Sequence, residues 1–239
     1  MARVSQEKKE EIRRSIIHAA VEMFSEKGFE STTMKQIARE VGIGDATIYK
    51  YFPSKDKLIF AFYSLRAEQA VETFSQESGL EEHSLQEKLQ LLIDIYLESL
   101  LPDREFVADS LQMIMQSPSV LFEDVTPVRK EFVGLIHDMF TEAEQLGEIE
   151  KSPFTAYTAK LTNDFILAIL LYWIKDDSDE FSNTTQLVDM SLSLGIEILK
   201  TGIVSKMTDL VSFFVKAHLF KFMGSSFLNK MVVAKSFSP

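Results

Sequence analysis

Apolar residues recur at helical spacing along most of the chain, and no Asn-Gly or Asp-Gly turn joins two alternating apolar runs. Residues 7–27 place Ile12, Ile16, Ala19, Ala20, Met23 and Phe24 on one face, with Gly28 positioned as the stop. A short helix from Thr33 to Val41 follows, capped by Thr32 or Ser31, carrying Met34, Ile37, Ala38 and Val41 on one face and ended by Gly42. A third helix runs from about Asp45 to Phe52 and is stopped by Pro53; Ser54 then caps a long helix to about Gln76. Further helical patterns cover roughly 82–100, 103–117, 127–146, 153–175, 184–202 and 204–223, separated by polar or proline-bearing breaks such as "LPD", "SPSV" and "DDSDEFSN". The chain reads as all-α, with a small three-helix head over 1–53, a larger helical body over 54–223 and a tail over 224–239.

Two short helices joined by a glycine turn and braced by a longer helix form a helix-turn-helix. In "EVGIGDATIYKYFPSKDKL", residues 40–58, Gly42 serves the turn, while Gly44 leaves the start of the third helix open to close approach. Ile48 and Phe52, four apart, make the core stripe of that helix, so Thr47, Lys50 and Tyr51 fall largely elsewhere and Tyr49 lies at the flank. A tyrosine can pack its ring at a helix edge and reach a phosphate with its hydroxyl, and Lys55 can add a charge contact to the same backbone.

The formal charge of −11 is unevenly spread. Residues 1–60 hold 11 basic against 9 acidic side chains, net +2, while the remainder holds 14 against 27, net −13. A mildly positive head on an acidic body can meet DNA, because the local face sets the phosphate contacts and the body orients the approach.

The stretch "GFESTTMKQIAREVGIGDATIYKYFPSKDKL" resembles the DNA-binding head of the tetracycline-repressor (TetR) family at Gly28-Phe29, Thr32-Thr33, Ile37-Ala38, Val41-Gly42-Ile43, Thr47-Ile48-Tyr49, Tyr51-Phe52 and Ser54-Lys55. The resemblance covers about residues 10–58. It implies a homodimeric transcriptional regulator, usually a repressor, that binds a palindromic operator and carries an all-helical ligand-binding and dimerisation body. It further implies that Thr33, Tyr49, Tyr51 and Lys55 contact phosphates, while Gly44, Asp45, Ala46, Thr47 and Lys50 lie against the groove. Many relatives carry Ser-Lys where this chain has Gly44-Asp45, which removes a hydroxyl and a positive charge. Asp45 either accepts from a cytosine amino group or stabilises the helix N-terminus through its dipole, the second being the simpler reading.

The resemblance also implies a pocket for a small apolar ligand among the helices after Ser54, although those helices carry no shared motif. Tyr96, Phe106, Met113, Phe140 and Trp173 are candidates for it on residue type alone, with ordinary core packing the simpler account of any single one. Residues 153–175 and 184–202 are apolar enough that pairing with a second copy in a four-helix bundle would bury what one body cannot. The pattern near 204–223 is expected to enlarge that interface or cover the pocket; an interfacial membrane tail is the weaker alternative, since Lys206, Lys216 and Lys221 make no long polar-basic face. An alternative to ligand control is a DNA-bound adaptor that acts on a partner protein.

Other classes are disfavoured. There is no cysteine, and no G-x-S-x-G, G-x-G-x-x-G or phosphate-loop motif is present, so no enzyme and no cofactor is expected. His18, His83, His137 and His218 are scattered away from zinc spacing, and "DDSDEF" at 176–181 lacks the glycine of a calcium loop, leaving a solvated interhelical loop. The longest apolar run, Phe165 to Ile174, is 10 residues, against about 20 for a membrane span. With no apolar segment in "MARVSQEKKEEIRR" either, a soluble cytoplasmic protein is expected.

Overall fold

The computed structural model describes residues 5–116 and 126–203, together with 206, 210 and 213. Among them every regular element is a helix, as the apolar spacing requires. The tail over 224–239 and most of the expected helix over 204–223 lie outside the described residues.

The head is α1 (Gln6–Lys27), α2 (Met34–Val41) and α3 (Asp45–Tyr51). Ser5 caps α1 by accepting from the Lys8 amide, and Gly28 ends it at φ 81°. Ile16, Ala20 and Phe24 of α1 bury against Ile37 and Ala38 of α2, and Ile48 of α3 is fully enclosed in the same core. The cap of α2 is neither Ser31 nor Thr32 but Thr33, because Gln36 lies three residues on and closes a capping box. The Gln36 amide donates to the Thr33 hydroxyl at 3.3 Å, and the Thr33 amide donates to the Gln36 side chain at 2.8 Å. Thr32 is instead buried, its hydroxyl facing the carbonyls of Met23 and Gly28 at 3.1 and 3.0 Å. That ties the start of α2 to the end of α1. Gly42 ends α2 in the left-handed conformation (φ 74°, ψ 29°), where a side chain would be strained.

Helix α4 (Lys55–Gln76) carries the head into the body. Ser54 occupies its cap position but supplies no side-chain hydrogen bond, contrary to expectation; Asp56 is the acidic group of the first turn. Leu58 through Tyr63 are all buried, because α1 packs on one side of this helix and the body helices pack on the other. The body comprises α5 (Leu85–Leu100), α6 (Arg104–Gln116), α7 (Thr126–Leu146), α8 (Thr155–Trp173) and α9 (Ser182–Lys200). Helix α5 starts at Leu85 rather than near 82, since Ser84 and Glu87 form a second capping box. One continuous cluster of buried apolar side chains runs from Ile16 in the head to Ile196 in α9.

The α8–α9 connection differs from the solvated loop expected of "DDSDEF". Asp176 is buried and receives four hydrogen bonds, from the amide and hydroxyl of Ser178 and from the amide and hydroxyl of Thr184, at 2.6–3.0 Å. The hydroxyls of Ser178 and then Thr184 hold its carboxyl well below the usual carboxylate range. Arg104 seals the same corner, donating to the carbonyls of Trp173 and Asp176 at 3.0 and 2.7 Å with its guanidinium over the rings of Trp173 and Phe181. Glu180 and Phe181 take positive φ of 51° and 56°, a strain tolerated because both ends of the turn are fixed.

Candidate nucleic-acid interface

Helix α3 has two sides. Ile48 is fully buried and the following Phe52 nearly so, which fixes the rotation of the helix on the core. With that rotation set, Gly44, Asp45, Ala46, Tyr49 and Lys50 are exposed and Thr47 is half-buried. These residues share one outward surface about two turns long, the size of a reading face for a major groove. Tyr51 is half-buried and its ring packs onto the core, so of the two tyrosines Tyr49 is the one on the open side. Gly44 has an ordinary backbone (φ −69°), and an added Cβ would meet only the Thr47 hydroxyl at 3.5 Å. The fold therefore does not demand glycine there.

Thr33 is exposed, but its hydroxyl is already engaged by Gln36. Lys55 is half-buried and turned toward the α1–α2 connection, donating to the Phe29 carbonyl at 2.6 Å. An ammonium has three donors, so this bond still leaves two for another acceptor. Lys35 and Arg39, exposed and four apart on α2, were not singled out by sequence. The readable signal was two cations at i, i+4 on a helix whose opposite face is Met34, Ile37 and Ala38.

The five pocket candidates do not converge. Trp173 borders a cavity of about 420 Å³ that is also edged by the carboxylates of Asp94, Glu98 and Glu180. Burial raises the pKa of Asp94, partly offset by hydrogen bonds from Gln90 and reinforced by Glu98. Phe140 borders a cavity of about 240 Å³ with Leu89, Phe165, Leu192 and Ile196, and among the described residues no charged side chain lines it. Phe106 and Met113 border a third cavity of about 280 Å³ near the head. Tyr96 lines none of these three; it is buried edge-on to Phe132 at 5.0 Å, and burial drives its phenol pKa upward.

The family model for bacterial regulatory proteins of the tetR family matches residues 16–62, and that for the tetracyclin repressor-like C-terminal domain matches residues 88–214, more than half of the chain. The chain belongs to the TetR family. It is a DNA-binding transcription regulator with a helix-turn-helix head and a helical body, in a family of regulators rather than enzymes. A fatty acid metabolism regulator protein of Bacillus subtilis is 27% identical over 191 residues, covering 80% of this chain and 95% of the relative. The regulator UidR of Escherichia coli is 30% identical over 161 residues, covering 66% and 79%. Among solved structures, a TetR regulator from Nitrosomonas europaea superposes with a TM-score of 0.61 at 21% identity, covering 77% of this chain and 97% of the other. FadR of Bacillus subtilis in complex with stearoyl-CoA superposes at 0.56 with 22% identity, covering 79% and 98%. Among the described residues of this TetR-family chain, no helix is long and apolar enough to cross a membrane and no side-chain cluster could hold a metal ion.

Proposed function

We propose that this chain acts as a homodimeric repressor that leaves a palindromic operator when a small apolar ligand enters its body. The observation that carries the reading is the fixed rotation of α3: Ile48 in the core leaves Gly44, Asp45, Ala46, Tyr49 and Lys50 outward. Thr47 and Lys50 face the bases, while Tyr49, Tyr51 and Lys55 hold the phosphates on either side, joined by Thr33 when its hydroxyl turns from Gln36 to a phosphate. The boundary between reading head and responding body falls at Pro53.

Dimerisation rests on an uncovered stripe. Leu187, Met190, Leu194 and Ile198 follow one another at intervals of three and four along α9 and are exposed, Met190 and Leu194 by more than 60%. Tyr157 and Leu161 are exposed on the neighbouring α8. Apolar rows of this kind are expensive in water, and two copies packed through them would bring four helices together.

For the ligand, the charge-free cavity beside Phe140 suits an apolar molecule better than the one beside Trp173, whose carboxylates would repel an anion such as an acyl-CoA head group. By reciprocity, a ligand that weakens operator binding must itself bind more weakly to the operator complex, by the same factor.

Selection of bound duplexes from a random pool at moderate salt tests the reading. A recovered palindrome supports it; no enrichment from folded, dimeric protein would sink it.

A further inference from the structure

The cavity of about 280 Å³ bordered by Phe106 and Met113 is not inside the body but at its junction with the head. Its walls come from three places at once: Phe24 on α1 with Phe29 just beyond, Ile59 on α4, and Phe106 to Met113 on α6. Phe24 lies nearly parallel to Phe106 at 6.1 Å and tilted against Phe29 at 5.0 Å, so the three rings form one continuous aromatic part of the wall. The rim is polar, with Asp109 and Gln112 exposed. Ser110 is the third polar residue, but it is buried and its hydroxyl is paired with the Tyr63 phenol at 2.8 Å. Among the described residues Asp109 is thus the single charge on the lining, and no cation pairs with it.

We propose that this junction cavity binds a compact aromatic molecule carrying an ammonium group, with the ring laid against the wall that Phe24, Phe29 and Phe106 form and the ammonium at Asp109. The volume suits a compact molecule, lying just below the range of about 300–1,000 Å³ for sites that hold drug-sized ligands. The chemistry selects the class: aromatic walls favour a ring in offset or edge contact, and one carboxylate at the rim favours a single positive charge. Because Phe29 is also held by Lys55 and Phe24 belongs to α1, the occupant touches head and body together. It therefore splints the head in the orientation seen here and changes operator affinity from a place distinct from the cavity beside Phe140. Only that second consequence rests on the regulator reading.

The binding part is tested without DNA, by calorimetric titration of the full chain with phenethylamine and with its neutral counterpart 2-phenylethanol. Saturable binding of phenethylamine is expected. Asp109→Asn should weaken it about two- to five-fold, the range of an exposed ion pair, and leave 2-phenylethanol unchanged. Met113→Trp, which fills the space from a half-buried position, should abolish both. Absence of saturable binding to folded wild type, or binding indifferent to both variants, would overturn the site. Operator affinity is then compared with and without saturating phenethylamine: a change that Met113→Trp removes supports the splint, and no change overturns it. If the protein binds no operator at all the regulator reading fails, while the calorimetric result still decides the site.

Discussion

The ammonium of Lys55 donates to the backbone carbonyl of Phe29 at 2.6 Å and sits 4.3 Å from the centre of the same residue's ring. One side chain at the first turn of α4 thereby anchors the α1–α2 connection of the head. Lys55→Ala should cost about 2–4 kcal/mol, the sum of about 1.5–3 for a charge-assisted hydrogen bond and about 0.5–1 for a cation–π contact at a partly exposed site. Urea unfolding of the two proteins measures it. The same variant should also lower the slope of log affinity against log salt by about 0.9, one phosphate's worth. A stability loss with an unchanged slope would make Lys55 an anchor only.

Thr32 and Thr33 should respond differently to loss of the hydroxyl. Thr32→Val removes the buried hydroxyl shared by the carbonyls of Met23 and Gly28 and is expected to cost about 1–3 kcal/mol. Thr33→Ala opens an exposed capping box and is expected to cost about 1 kcal/mol. Comparing their denaturation midpoints checks the order.

Asp176 makes part of the stability dependent on acid. Its folded pKa lies below that of the unfolded chain, so the contribution is complete above the unfolded value, about 3.9, and is lost as pH falls through the lower folded value. The wild type should lose stability below about pH 4 more steeply than Asp176→Asn, which cannot titrate. Parallel pH profiles for the two would show that the four hydrogen bonds do not bias the carboxyl.

The exposed stripe on α9 predicts the oligomeric state. Leu194→Lys places a charge in the middle of the Met190–Ile198 row and should turn a dimer into a monomer without unfolding it, because Leu194 is exposed and supports no core packing. Sedimentation equilibrium with circular dichroism distinguishes dissociation from unfolding. A dimer that survives would place the interface elsewhere.

Much of this is legible in the sequence. Ile48 and Phe52 announced the buried side of α3 by their spacing, and Gly42 announced a left-handed stop, because both follow from local geometry. The Thr33–Gln36 capping box is equally local, although residue type favours Thr32 or Ser31 as the cap just as well. What could not be read were contacts between distant parts of the chain: Lys55 against Phe29, Arg104 against Trp173 and Phe181, and the burial of Asp176. Each depends on how helices meet, and "DDSDEF" looks like a solvated loop until Thr184 and Arg104 close over it. The pocket candidates scattered for the same reason. Residue type says that Tyr96 and Trp173 are large and apolar, but packing decides which cavity, if any, they border.

The most direct test of the central claim is a hydroxyl-radical footprint of the wild-type protein on the duplex recovered by selection. Two α3 surfaces in a symmetric dimer should protect two half-sites whose centres are about 34–36 Å apart, or a multiple of that spacing. Protection of a single half-site, or uniform protection with no periodicity, would contradict the account.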